Sequence, residues 1–187
     1  NDDGFCMYDG QQFHHYPIRE NGKSIGTIEV VESNSGELWF ASTSGGVVKY
    51  DGRTTIVYDE ADGLANKDIW NSEKTKDGML WFGGGFRLNS NGLTNYDGID
   101  FRVLTTADGL IDNKIRCSAP SKLGGIWLGT DNGISYYTNT GRTSTFTNFL
   151  PEVGLGTRHV LSIYESRDGI LWCGGYMGEV GLSQYDP

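Results

Sequence analysis

Trp39, Trp81, Trp127 and Trp172 recur at steps of 42, 46 and 45 residues, each inside the same short phrase: Gly-Glu-Leu-Trp-Phe, Gly-Met-Leu-Trp-Phe, Gly-Gly-Ile-Trp-Leu and Gly-Ile-Leu-Trp-Cys. A period of this size carrying strand-like text is the signature of propeller blades, in which each repeat buries its apolar faces only by stacking on its neighbours. The repeat extends beyond the tryptophan. Tyr8-Asp9-Gly10, Tyr50-Asp51-Gly52 and Tyr96-Asp97-Gly98 recur in phase, with degenerate copies at Tyr137-Thr138-Asn139 and Tyr185-Asp186-Pro187. Asp62-Gly63-Leu64, Asp108-Gly109-Leu110 and Val153-Gly154-Leu155 mark a further recurring point.

Each unit reads as four short strands. In the second full unit these are Ile69 to Ser72, Met79 to Gly83, Gly92 to Tyr96 and Phe101 to Thr105, running from the inner strand outward. Asp-Gly and Asn-Gly pairs supply the turns, since Gly accepts positive φ and the Asx side chain bonds its own backbone. In Leu38-Trp39-Phe40 and its copies, three consecutive apolar residues alternate between the two faces of a strand. Both faces are then covered, as a second strand between stacked sheets requires. The four repeated tryptophans are the structural core of the repeat. Removing one is expected to cost roughly 3–5 kcal/mol, as for other large core deletions.

The fold expectation is an all-β propeller of about four blades, each of four antiparallel strands. It is one domain over 1–187, divided into a partial blade at 1–20, blades at 21–60, 61–106 and 107–150, and a partial blade at 151–187. The strand tally is instructive. The N-terminus offers two candidates, Gly4 to Tyr8 and Phe13 to Tyr16, and the C-terminus three, Val160 to Glu165, Ile170 to Gly174 and Val180 to Tyr185. With twelve between them the chain has seventeen, one more than four complete blades need. Closure is expected from pairing of N- and C-terminal strands, within one chain or between chains, because closure removes open edges; a fragment of a longer array is the remaining alternative.

The formal charge of −9, with scattered Lys and Arg, argues against nucleic acid and anionic membranes as partners. No stretch approaches the ~18 apolar residues of a membrane span. Cys6, Cys117 and Cys173 form an odd set without metal-like spacing, and a bridge from Cys6 to either of the others stays open. The sequence contains no Asn-x-Ser/Thr sequon.

Candidate chemical sites weaken on inspection. His14 and His15 are adjacent in a strand and point to opposite faces, so they do not share a metal. Asp59, Glu60 and Asp62 lack the alternating ligands and distal Glu of a calcium loop. Gly83-Gly84-Gly85 lacks the Lys-Ser/Thr and helix of a phosphate cradle and falls at a strand-to-strand turn. Neither a Gly-x-Ser-x-Gly elbow nor a His-Glu-x-x-His helix is present. No catalytic residue, metal or cofactor is assigned, and the chain is not expected to be an enzyme. Trp70 lies outside the tryptophan phrase, on an inner strand where the other units have Ile28, Arg116 and Leu161. With Arg158 and His159 it defines a ligand-binding rim, Trp70, Arg116, Arg158 and His159, at one mouth of the channel.

Ser166-Arg167-Asp168-Gly169-Ile170-Leu171-Trp172, the run Leu128-Gly129-Thr130-Asp131-Asn132-Gly133-Ile134 and the recurring Asp-Gly-Leu resemble the two-component regulator propeller repeat. The resemblance covers almost the whole chain and rests on scaffold residues. It implies an extracytoplasmic sensor module, periplasmic or at the cell surface, that recognises a saccharide or a protein. The sequence departs from that family's usual context in lacking a kinase or DNA-binding region and in having too few units for a seven-bladed ring. The surplus strand supports a second reading, a structural subunit of an extracellular oligomer or fibre joined through its terminal strands.

Overall fold

A computed structural model describes residues 4–85, 90–141, 143–176 and 182–185. The chain opens with a hairpin of β1 (Gly4–Tyr8) and β2 (Phe13–Pro17), followed by a second small hairpin of β3 (Arg19–Glu20) and β4 (Lys23–Ser24). Three four-stranded antiparallel sheets follow in order. The first holds β5 (Thr27–Glu32), β6 (Leu38–Ser42), β7 (Gly46–Tyr50) and β8 (Thr55–Tyr58). The second holds β9 (Ile69–Lys74), β10 (Leu80–Gly84), β11 (Leu93–Tyr96) and β12 (Phe101–Leu104). The third holds β13 (Ile115–Pro120), β14 (Ile126–Thr130), β15 (Gly133–Asn139) and β16 (Ser144–Phe149). The last sheet has three described strands, β17 (Val160–Glu165), β18 (Leu171–Gly175) and β19 (Leu182–Tyr185). The expected strand start at Val180 lies outside the described residues.

The inner strands β5, β9, β13 and β17 touch one another in sequence order, so successive sheets stack face to face. Period-two alternation determines which side chain enters which interface. Trp39 packs with Val47, Ile69, Leu80 and Phe82, joining the first sheet to the second. Trp81, Leu93, Ile115, Ile126 and Leu128 join the second to the third. Trp127, Ile134, Val160, Leu171 and Cys173 join the third to the last. The repeated tryptophan thus always faces the following sheet, and its two apolar neighbours face the preceding one. Trp172 has the same orientation, is only half-buried and belongs to none of these clusters.

The recurring Asp-Gly-Leu point is a capped 3-10 turn. Asp59 Oδ1 accepts from the Ala61 amide while Asp62 Oδ2 accepts from the Asp59 amide, and Gly63 closes the turn at φ 109°. Thr105 and Asp108 repeat this box before Gly109. The acidic trio Asp59, Glu60 and Asp62 is therefore committed to capping and to Lys67, whose Nζ lies 2.9 Å from Asp59 Oδ2. The residue after each Gly-Leu then anchors the turn to the third strand of its unit: Ala65 donates to Thr94 Oγ1, Ile111 to Ser135 Oγ and Gly156 to Ser183 Oγ.

Three expectations need correction. The sequence tally omitted β3 and β4, which occupy the first unit's place for the 3-10 turn and bury Ile18 and Ile25. The Gly83-Gly84-Gly85 run is not simply a turn, because Gly83 and Gly84 belong to β10. A Cβ on Gly84 would collide with the Asp68 carbonyl, so glycine is what lets β9 approach there. Pairing of the terminal strands within the chain is not seen among the described residues: β2 pairs with β1, and the last sheet ends at β19. The first hairpin instead packs on the first sheet, with Phe5 stacked on Phe40 at 4.1 Å and Thr27 Oγ1 donating to the Gly4 carbonyl. All three cysteines are free thiols.

Candidate functional site at the inner-strand bulges

Every inner strand slips by one residue at its start. Thr27 and Glu29 oppose Ser42 and Ala41, Ile69 and Asn71 oppose Gly84 and Gly83, Ile115 and Cys117 oppose Thr130 and Gly129, and Val160 and Ser162 oppose Gly175 and Gly174. The residues left over are Ile28, Trp70, Arg116 and Leu161, the four positions aligned from sequence. A bulge re-aims its extra side chain, and here four bulges recur in phase at the starts of successive inner strands. Ile28, Trp70 and Leu161 are exposed there, Trp70 to 38%. Immediately behind the bulge, the next side chain ties its sheet to the following inner strand. Glu29 Oε2 accepts from the Ser72 amide, Asn71 Nδ2 donates to the Ile115 carbonyl, and Cys117 Sγ donates to the Val160 carbonyl at 3.6 Å.

The third and last units build the polar part of this rim around Asp131, in the turn between β14 and β15. Arg116 grips it as a fork, Nε donating to Oδ1 and Nη2 to Oδ2, each at 2.6 Å. His159 Nδ1 lies 3.4 Å from Oδ1 and Lys114 Nζ 3.7 Å from Oδ2. Arg116 holds the Asp131 carboxyl below its ordinary range, and Asp131 in turn raises the Arg116 pKa. Next to this cluster Arg158 donates to Asn132 Oδ1 at 2.9 Å and to Glu152 Oε1 at 2.6 Å. Trp70 stands on the neighbouring unit, where its Nε1 donates to Asp68 Oδ1 at 2.7 Å. The other oxygen, Asp68 Oδ2, is buried with no hydrogen-bond partner among the described residues.

Of the four rim candidates, Arg116 and His159 therefore converge on one carboxylate, Arg158 joins the adjoining turn, and Trp70 lies one sheet away. Asp131, Lys114 and Asn132 are missing from the sequence-derived set. Asp131 and Asn132 lay in plain view in the repeat phrase Thr130-Asp131-Asn132-Gly133, where they read only as turn residues. The signal was Arg116 itself, a cation on an inner strand that needed an acceptor. The histidines of β2 are separated as expected: His14 Nε2 lies 2.6 Å from Asp9 Oδ2, and His15 Nδ1 lies 3.1 Å from Cys6 Sγ. Among the described residues no group of three or more His, Cys, Asp or Glu is arranged to hold a metal.

Residues 154–177 match the family model described as two component regulator propeller, which bears out the resemblance drawn from the repeat. No curated protein matches the chain. Solved structures do. The extracellular domain of a hybrid two component system from B. thetaiotaomicron superposes with a TM-score of 0.78 at 19% identity, over 99% of this chain and 26% of that one. Virginiamycin B lyase from Staphylococcus aureus gives 0.65 at 15%, over 96% and 61%. PorZ, a surface component of the type-IX secretion system of Porphyromonas gingivalis, gives 0.63 at 16%, over 88% and 26%. The chain thus spans about a quarter of the first of these neighbours. At such identities the likeness is one of fold, a β-propeller that carries sensor, lyase and secretion components alike.

Proposed function

We propose that this chain, built from two-component regulator propeller repeats, is a non-catalytic recognition module of an extracytoplasmic sensor that binds a polar ligand, a glycan or a protein loop, at the bulge-lined mouth. The observation that carries the reading is the set of four in-phase bulges. They carry a half-exposed indole, a clamped guanidinium and two aliphatic groups at matching positions of successive inner strands, with Lys114, Asp131 and His159 beside the guanidinium. An indole face with nearby fixed donors and acceptors suits a hydroxyl-rich ligand, which stacks on the ring and exchanges hydrogen bonds with the rim. Arg116 and Asp131 satisfy one another before any ligand arrives, so the site is organised in advance and pays little ordering cost on binding. A general acid paired with a nucleophile or base at this mouth would favour an enzyme. The carboxylates described here are engaged by other partners instead: Asp68 by Trp70, Asp131 by Arg116, Glu29 by the Ser72 amide and Glu152 by Arg158.

The sensor assignment draws on the first structural neighbour, an extracellular domain of a hybrid two component system, and on the matched repeat. Strand exchange through the termini receives no such support, since β1 and β2 pair with each other and pack on the first sheet. The test is a titration of the isotope-labelled chain with a panel of neutral and acidic oligosaccharides. Shifts confined to the Trp70 indole, His159 and the turn 130–133, weakened at least about tenfold by Trp70→Ala, support the reading. Binding elsewhere, or binding indifferent to Trp70 and His159 substitution, overturns it.

A further inference from the structure

The turn after each inner strand follows one pattern, and the first unit departs from it. Ser33, Thr75, Ser121 and Ser166 open the four turns, each amide donating to the carbonyl of the residue that closes its turn, Glu37, Met79, Gly125 and Ile170. In the second unit Thr75 Oγ1 donates to Asp77 Oδ1 at 2.6 Å and accepts from Trp81 Nε1 at 3.0 Å, so the turn hydroxyl satisfies the repeated indole. In the first unit the acid stands two places later, at Glu37, with Ser35 in the position of Asp77. Ser33 Oγ and Ser35 Oγ both donate to Glu37 Oε2, at 3.2 and 2.8 Å. Trp39 Nε1 is left buried with no hydrogen-bond partner among the described residues, whereas Trp127 Nε1 reaches Glu165.

A second departure meets the first. Lys49 holds the register position opposite Trp39, which is Asn95, Tyr136 and Gln184 in the other units. Its Nζ pairs with Glu37 Oε1 and lies 5.4 Å over the Trp39 ring. A buried donor without an acceptor calls for an explanation, and breaks in a repeat's local rules gather at functional positions. Both departures face a cleft of about 260 Å³ between the first and second sheets, each of which has all four strands. One wall is the turn 33–37 and the other the turns at Asp77-Gly78 and Asp97-Gly98, with Leu80 and Tyr96 between them. The cleft opens at the ends of β5 and β9, away from the bulges at their starts.

We infer that this cleft binds a small uncharged polyol, a single sugar ring or a cyclitol, through Glu37 and Lys49. Its volume lies below the roughly 300–1,000 Å³ of sites for drug-sized molecules, which limits the occupant to about one ring. Glu37, Asp77 and Asp97 repel an anion, and the Lys49 ammonium among them opposes a second cation. A hydroxyl both donates and accepts, so it suits a carboxylate and an ammonium held side by side, while Tyr96 and Leu80 receive the ring's carbon face. A ligand hydroxyl that donates to Glu37 Oε2 takes the place of Ser33 there. The Ser33 hydroxyl then turns to accept from Trp39 Nε1, as Thr75 does from Trp81, so binding satisfies the buried donor. This site is separate from the bulge-lined mouth, and the inference does not rest on the function proposed for that mouth.

The test is a titration of the isotope-labelled full chain with neutral monosaccharides and myo-inositol up to tens of millimolar, read at the Trp39 indole N–H and the amides of 33–37, 77–78 and 97–98. Saturable shifts there are expected, with the Trp39 N–H moving downfield as it gains an acceptor. Shifts at Trp70 and the turn 130–133 report the mouth on their own saturation curve, so the two sites succeed or fail separately. Glu37→Met combined with Lys49→Asn gives the first unit the residues with which the second already folds. This variant is expected to weaken binding at least about tenfold, the loss of a hydrogen bond to a charged group, and to move the Trp39 N–H downfield without ligand. Ser33→Ala is expected to retain binding and to abolish the downfield movement. Absence of saturable shifts at the cleft with every one of these polyols overturns the inference, as does affinity unchanged in the folded double variant. A cleft that answers to methylammonium in a salt-sensitive manner and not to the polyols is a cation site, and that result overturns the inference equally.

Discussion

Glu73 offers a direct test of how the stacked inner strands are held. It lies on β9 opposite Trp81, in the register that carries Val31 in the first sheet and Ala119 in the third. Those two residues pack into the interface with the following sheet, so Glu73 brings a carboxylate to an apolar position. Burial, and secondarily the charge of Glu29 on β5, lift its pKa from the ordinary 4.5 to about 7. Glu29 is itself raised by burial, although it accepts from the Ser72 amide. The folded chain therefore holds this proton more tightly than the unfolded chain does. The stability this confers is fully present below pH 4.5 and is lost as pH rises through about 7.

At 1.36 kcal/mol for each pKa unit the shift corresponds to at most ~3.4 kcal/mol. Because the carboxyl is only partly buried, solvent screening reduces this to about 1–2 kcal/mol. Glu73→Gln keeps the shape and removes the charge. It is expected to leave stability unchanged near pH 4.5 and to raise it by about 1–2 kcal/mol at pH 8, a gain of roughly 2–8 °C in Tm for a chain of this size. Urea melts of both proteins at half-unit pH steps provide the assay. A stability difference that does not vary with pH, or a variant less stable than wild type at pH 8, refutes the reasoning.

Other expectations concern the repeat's individual members. Trp127 Nε1 donates to Glu165 Oε2 at 2.9 Å, whereas Trp39 Nε1 is buried without a hydrogen-bond partner among the described residues. Trp127→Phe is therefore expected to cost more than Trp39→Phe, by about 1.5–3 kcal/mol, the worth of a hydrogen bond to a charged group, in paired denaturant melts. Gly92 sits at φ 110° with the Leu104 carbonyl where a Cβ would go, so Gly92→Ala is expected to lower stability by about 1–3 kcal/mol or more, measured by thermal unfolding. Burial pushes the Cys117 thiol up to about 12 and that of Cys173 to about 11. A thiol reagent at neutral pH is expected to label exposed Cys6 at once and the other two only on unfolding. Asp131→Asn withdraws the charge that Arg116 grips, and is expected to cost about 2–3 kcal/mol and loosen the rim, read by melting and by the His159 resonance.

How much of this was legible beforehand can be followed residue by residue. The strands of the second unit are displaced from their sequence-read limits by no more than two residues at either end, because period-two alternation and Asx-Gly turns are local signals. The in-phase alignment of Ile28, Trp70, Arg116 and Leu161 was equally legible. That these four are bulge residues was not, because a bulge depends on what the partner strand presents, here Ala41, Gly83, Gly129 and Gly174. Asp131 was visible but looked like any turn aspartate. Only the folding of β13 beside β14 brings Arg116, fifteen residues away in sequence, into a fork on it.

By itself the sequence determined the repeat unit, its four-strand content and which residues of each strand are apolar on both faces. These follow from local periodicity, and the repeat makes each local signal confirm the others. Only the tertiary structure decided what each face meets. The first hairpin turned onto Phe40, Trp39, Trp81 and Trp127 each met the sheet that follows, and among the described residues β1 and β2 paired with each other and not with the last sheet. The physical reason is that stacking between sheets is non-local. A tryptophan in the repeat phrase specifies that an apolar partner is wanted, but not whether the next sheet, another copy or solvent provides it.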